Sequence, residues 1–241
     1  HPDHLIETLL AGLWMPLLVF ALYAAIEPSV RRLWPQALVT WTRVLSGDIT
    51  NPQVGRDLLI GCAMGGTLAI TLHLSALTTN SLTSAPSLDA LMSSRQTLGL
   101  ILKAVVGGML GSLVYLLMLL LLRLVVGRNW LAILSFVAIA VLLVTLGGLS
   151  SSELDTKELG AVLFILLLLA TIFVTTLTRV GLLASVAAVM LFFCLQRIPV
   201  SLDTTVWFWE QTSLPTVLTL AALAAFGFST SYRGWARPGE E

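Results

Sequence analysis

Runs of about twenty apolar residues, almost free of charge, dominate the chain, and a helix of that length crosses the roughly 30 Å hydrocarbon core of a bilayer. Seven such runs can be read: Leu5 to Ile26, Leu58 to Thr78, Leu98 to Leu122, Trp130 to Leu149, Leu159 to Leu177, a short one from Gly181 to Leu195, and Leu214 to Phe228. Barrel strands would instead show short alternating segments, so continuous runs predict helices. Composition argues against a water-soluble domain: 57% of the 241 residues are hydrophobic and 11% are charged, where a soluble domain carries about 25% charged residues. Mean hydropathy is +0.94. The expected fold class is therefore all-α, a polytopic membrane helical bundle of about seven transmembrane helices forming one integral membrane domain over 1–241. Its partner is the lipid bilayer. A net charge of zero gives no reason to expect nucleic acid.

Between the first two runs lies a segment of another kind, Ser29 to Ser46, with Arg31, Arg32 and Arg43 set among apolar and tryptophan residues. At about 100° per residue, Trp34, Leu38, Trp41 and Leu45 share one face. That pattern predicts an amphipathic helix over about 29–46 lying in the headgroup plane, with Pro35 near its start. The competing reading is a structured loop packed on the bundle. Pro16, inside the first run, predicts either a kink or tolerance through neighbouring contacts.

Charge sets the orientation. With seven crossings, Arg31, Arg32, Arg43, Arg56, Arg123, Arg128, Arg179, Arg233 and Arg237 fall on one side, and Arg95, Lys103, Lys157 and Arg197 on the other: nine against four. The first side is expected to be cytoplasmic, with His1 outside and a cytoplasmic tail over 231–241. The opposite loops fit an exterior: Asn80 to Ser94 is rich in Ser and Thr, Ser150 to Glu158 is short and acidic, and Gln196 to Ser213 holds Trp207 and Trp209, which suit an interfacial belt. The chain opens on His1-Pro2-Asp3-His4, without Met or a basic leader, and reads as a segment of something longer.

Glycines at four-residue spacing, Gly61 with Gly65 and Gly107 with Gly111, let helices approach closely. Packing within the molecule is the first expectation, and a homo-oligomer the second. His73 and Lys103 are the ionisable residues set within the runs, both toward the outer leaflet. A water-filled cavity joining them competes with plain snorkelling and a hydroxyl partner. No run carries an acid near its middle, since Glu7, Glu27 and Asp57 fall at ends, which argues against proton coupling. Cys62 and Cys194 sit in apolar runs as small hydrophobes, without a ligand set beside them. The sequence contains no HExxH, no phosphate loop and none of the protein-kinase motifs. No catalytic, cofactor-binding or metal residue is assigned, no cofactor is expected, and this chain by itself is expected not to be an enzyme.

The segment joining the first two runs reads Ile26-Glu27-Pro28-Ser29-Val30-Arg31-Arg32-Leu33-Trp34-Pro35, then Trp41-Thr42-Arg43-Val44-Leu45-Ser46-Gly47, then Asn51-Pro52-Gln53-Val54-Gly55-Arg56-Asp57. It resembles a pattern, EPxVRRxWP…WxRxLxG…DPxVGRD, in the C-terminal membrane region of bacterial serine/threonine protein kinases of the acidobacterial type. Arg179-Val180-Gly181-Leu182-Leu183-Ala184, Pro199-Val200-Ser201-Leu202-Asp203 with Trp207, and Phe226-Gly227-Phe228-Ser229-Thr230-Ser231 fit the same region. Asn51 stands where the pattern usually has Asp, with Asp48 nearby. The resemblance implies a soluble kinase domain upstream, acting in cis, and a membrane domain that anchors it and senses a signal in the bacterial inner membrane. A cytoplasmic kinase ahead of an outside His1 would need an odd number of further crossings upstream. The linker arginines would rest on anionic lipid headgroups, each contributing about 1 kcal/mol near the surface, with Arg56 and Asp57 capping the second run or pairing with Glu27. A small-molecule or lipid transporter, or a membrane subunit of one, is the alternative from a different class.

Overall fold

The computed structural model describes residues 2–79, 91, 93–149, 156–201 and 203–235. Among the described residues the regular structure is helical throughout: α1 (Pro2–Leu33), a 3-10 turn (Pro35–Leu38), α2 (Val39–Leu45), α3 (Pro52–Thr79), α4 (Ser94–Val126), α5 (Asn129–Leu149), α6 (Thr156–Thr175) with a π turn (Thr176–Val180), α7 (Leu182–Arg197), a second π turn (Trp209–Ser213), and α8 (Leu214–Trp235). Every one of the seven apolar runs falls on a helix. Among the described residues, four stretches are long and apolar enough, by length and composition, to cross a membrane: Pro52–Leu74, Ser94–Val126, Leu163–Val180 and Trp209–Tyr232. Trp130–Leu142 and Leu182–Arg197 are shorter apolar helices.

Most of the threonine hydroxyls inside these helices bond to their own backbone, whereas the buried Ser112 Oγ of α4 has no partner among the described residues. Thr67, Thr71, Thr171, Thr176, Thr216 and Thr219 each donate to the carbonyl one turn back, at 2.7 to 2.9 Å. This is how a polar side chain is tolerated where the surroundings supply no partner.

One of the short apolar helices forms the centre. α7 has 16 residues, about 24 Å at 1.5 Å per residue, and is buried along most of its length between α3 and α4. Its Ala184, Ser185, Ala187 and Ala188 make a narrow helix, and glycines on both neighbours use that. A Cβ on Gly61 would collide with the Ala184 carbonyl oxygen, and one on Gly65 would stand 2.5 Å from the Ala188 oxygen. From the other side, a Cβ on Gly108 would come within 2.9 Å of the Val186 oxygen. The Gly61–Gly65 pair thus serves packing within the molecule. On α4 the close approach belongs to Gly108; Gly107 and Gly111 have only ordinary contact distances of 3.8 Å to Phe193 and Val189. Four-residue spacing marks a face, but it does not say which face meets the partner.

α8 packs on α3, α6 on α3 and α5, α5 on α4, and α1 on α4. Three boundaries differ from the sequence reading. α1 runs unbroken through Pro16 and Pro28 to Leu33, so residues 29–33 close the first helix and 29–46 is not one element. The break falls at Trp34, whose φ of −140° and ψ of 68° are those of a residue held out of the helical region by the proline that follows. At the other terminus α8 continues to Trp235, so 231–235 is helix; 236–241, like His1 and most of the loops around 80–92 and 150–155, lies outside the described residues.

Candidate functional site

The linker folds into a compact clamp at one end of the bundle. Its first tie is between helix ends. α1 stops at Leu33 with unsatisfied carbonyls, as every helix does, and Arg123, in the last turn of α4, donates from Nη1 to the Leu33 oxygen at 3.0 Å. The same guanidinium lies 4.6 Å from the centre of the Trp34 ring. One cation therefore caps α1, complements the negative ends of two helices, and stacks on an aromatic face.

The second tie is apolar. Ala37, Leu38 and Trp41 are 2–6% exposed and join Ile26, Val30, Leu177 and Leu182 in one cluster. Trp41 packs on Tyr23 with ring centres 6.3 Å apart. The stripe identified in the sequence thus turns Leu38 and Trp41 into the protein, whereas Leu45 is 60% exposed. Trp41 carries a buried Nε1 that donates to no acceptor among the described residues.

The third tie is polar. Thr40 donates to Asp57 Oδ2 at 2.7 Å, joining α2 to the first turns of α3. Arg43 Nη1 donates to Asn51 Oδ1 at 2.7 Å, the Gln53 backbone N–H donates to the same oxygen at 3.1 Å, and Asn51 Nδ2 donates to Asp48 Oδ2 at 2.9 Å. Only an amide can serve Arg43 and Asp48 at once; a carboxylate at position 51 would keep the first contact and repel Asp48. Gly47, at φ 86°, turns the chain between α2 and this network in a region closed to most side chains. Glu27 pairs with Arg31 at 2.7 Å, one turn along α1, and not with Arg56, a pairing that is one of the two roles the sequence leaves open for Arg56 and Asp57. The hydrogen bond from Arg31 holds that exposed pair together and raises the arginine above its ordinary value.

Two distant stretches close the clamp. Gly181, at φ 129°, joins the π turn to α7, and a Cβ there would approach the Ala37 oxygen to 3.0 Å. Gly55 meets α8 backbone to backbone: a Cβ would overlap Thr230 Oγ1 and stand 2.6 Å from the Gly227 oxygen. Residues 26–57, 179–184 and 226–231 are thereby gathered at one end.

The fourth stretch lies at the opposite end. There Thr97 donates to the Gln211 carbonyl at 2.9 Å, Ser213 Oγ accepts from the Ser201 N–H at 2.9 Å, and Asp203 Oδ1 accepts from the Thr205 N–H and hydroxyl at 2.9 and 2.7 Å. Those two bonds, the hydroxyl's first, hold the Asp203 carboxyl below the usual carboxylate range. Trp207 is 71% exposed and Trp209 half-buried. Among the described side chains, Arg31, Arg32, Arg43, Arg56, Arg123, Arg128 and Arg179 belong to the clamp end, and Arg95, Lys103 and Arg197 to the other.

His73 and Lys103 are both exposed, and neither of the two cavities bordered by Lys103 is bordered by His73. Cys62 and Cys194 are separate free thiols. No cluster of three potential metal-ligating side chains occurs among the described residues. Compared with family models, with curated proteins and with solved structures, the chain matches none of them.

Proposed function

We propose that this chain is the membrane-anchoring and signal-sensing domain of a receptor-like bacterial serine/threonine protein kinase, non-catalytic by itself. In this reading seven helices cross the bacterial inner membrane, with the N-terminus of the chain outside and its C-terminus cytoplasmic, and the clamp lies at the inner surface. The segment 35–45 then sits at headgroup level, with Leu38 and Trp41 turned to the bundle and Arg31, Arg32, Arg43 and Arg56 near anionic lipid. The observation that carries the reading is the convergence of three separate sequence stretches, with seven of the described basic side chains, on one end of the bundle. A clamp tying the end of α1 to α3, α4, α7 and α8 makes α1 move with the core. That is the mechanical requirement for passing a rearrangement to a domain in cis.

Locating the gene start tests it: an upstream domain bearing HRD and DFG motifs supports the reading, and a complete gene product lacking one removes it. Charge reversal at Arg31 and Arg32 should speed hydrogen exchange of residues 35–45 in anionic bilayers; unchanged exchange would count against the lipid contact. A transporter, or a membrane subunit of one, is the second reading, favoured by the groove beside Lys103. Substrate flux in proteoliposomes separates the two.

A further inference from the structure

The face of α4 left unused by Gly108 is a groove. Lys103, Gly107, Gly111 and Val114 follow one another at three- and four-residue spacing along α4, and Val189, Phe193 and Arg197 do the same along α7. These two stripes are the walls of a cleft of about 450 Å³. Its floor exists because positions 107 and 111 have no side chain. From Lys103 to Tyr115 the cleft runs twelve residues of helix, about 18 Å, close to half of a 30 Å hydrocarbon core.

The cleft changes character along its length. At the end away from the clamp stand Lys103 and Arg197, the latter with its guanidinium 5.9 Å from the Phe193 ring. There it opens into a polar recess that also holds Ser93, Arg95 and Gln96. At the other end it shares Tyr115, Val189 and Phe193 with an apolar pocket of about 230 Å³, where Tyr115 packs edge-on to Phe173 and Phe136. No Asp or Glu is among the described residues bordering the three spaces. Three cations at the mouth, an apolar trough one leaflet deep and an aromatic end have the polarity order of a single anionic lipid.

We infer that the α4–α7 groove is a binding site for one anionic phospholipid. Its phosphate lies against Lys103 and Arg197, and one acyl chain runs over Gly107 and Gly111 toward Tyr115. The site depends on the bundle spanning a membrane and is independent of the kinase reading.

The purified chain, delipidated in detergent, is titrated with phosphatidylglycerol or phosphatidylcholine of the same chain length and observed by native mass spectrometry. One lipid should bind per chain, with phosphatidylglycerol preferred about twenty-five-fold, the product of roughly fivefold for each of two basic residues. The double variant K103Q/R197Q, at exposed positions, should lose that preference while still binding both lipids weakly. Gly107→Leu should weaken both lipids alike by filling the trough, and glycerol 3-phosphate alone should not compete. The assignment is overturned by equal binding of the two lipids to the unaltered chain, by a preference that survives in K103Q/R197Q, or by competition from glycerol 3-phosphate. It is also overturned if the groove proves to hold a second copy, seen as a dimer that Gly107→Leu dissociates.

Discussion

The two ends of the bundle solve opposite problems. At the clamp end, Arg123, Trp41, Thr40, Asn51 and Gly181 draw α1, α2, α3, α4 and α7 onto one another, and each contact closes space. At the far end, α4 and α7 still pack through Ile101, Ala104, Met190, Cys194 and Ile198, but beside that contact a groove bordered by Lys103 and Arg197 stays open. The difference lies in which glycine is used. Gly61, Gly65 and Gly55 are pressed against backbone, whereas Gly107 and Gly111 touch only the ordinary van der Waals surfaces of Phe193, Val189 and Tyr115. One end keeps helices in register, and the other leaves a groove along one face of the helix pair.

The contrast can be broken most forcefully at Trp41. Truncation to Ala removes a buried aromatic from the cluster that holds the linker, and should cost about 3–5 kcal/mol in equilibrium unfolding in mixed micelles. Trp41→Phe should cost far less, because the buried Nε1–H it removes has no acceptor to lose. A large loss for Phe would mean that the donor is used. Arg123→Ala should cost about 2 kcal/mol, the value of a hydrogen bond to a charged group, and should speed hydrogen exchange selectively around Trp34. Gly47→Ala should cost about 1 kcal/mol through backbone strain alone, since a Cβ there would meet nothing within 4 Å. At the open end Lys103→Gln should leave stability within about 0.5 kcal/mol; a larger loss would show that the groove is as tightly built as the clamp.

The smallest effect concerns acid. Asp203 has its carboxyl held low by the Thr205 hydroxyl and N–H, so its contribution is complete above the unfolded-state value of about 3.9 and is lost as pH falls through the lower folded value. The group is fully exposed, and the shift should be read by carboxyl NMR rather than by unfolding. Thr205→Val should move the Asp203 titration midpoint upward toward the ordinary range, and an unmoved midpoint would deny the hydroxyl its role.

Much of the fold was legible because lipid-length apolar runs leave few alternatives, and each run became a helix. The end of α1 was misjudged for a local reason. Glu27-Pro28 and Trp34-Pro35 are both breaks by the same steric rule, yet only the second ends the helix, since Pro28 is carried within a helix already formed. The amphipathic stripe of the linker was visible, although sequence alone could not decide whether Leu38 and Trp41 faced lipid or protein. For α3, glycine spacing pointed to the face that is used; for α4 it pointed to the face left open, because the true contact is made by Gly108 alone. The clamp itself could not be read. Its ties from Arg123 to Leu33, from Gly181 to Ala37 and from Gly55 to Gly227 join residues far apart in the chain, and no local pattern encodes such partners.

The central claim is that the clamp and the loop around Asp203 stand on opposite faces of a membrane. Single cysteines at Ser46 and Thr204, in a background with Cys62 and Cys194 replaced by Ala, should react differently with a membrane-impermeant maleimide. Thr204→Cys is predicted to label in intact cells, and Ser46→Cys only after the membrane is opened. Labelling of both from the same side would contradict the account.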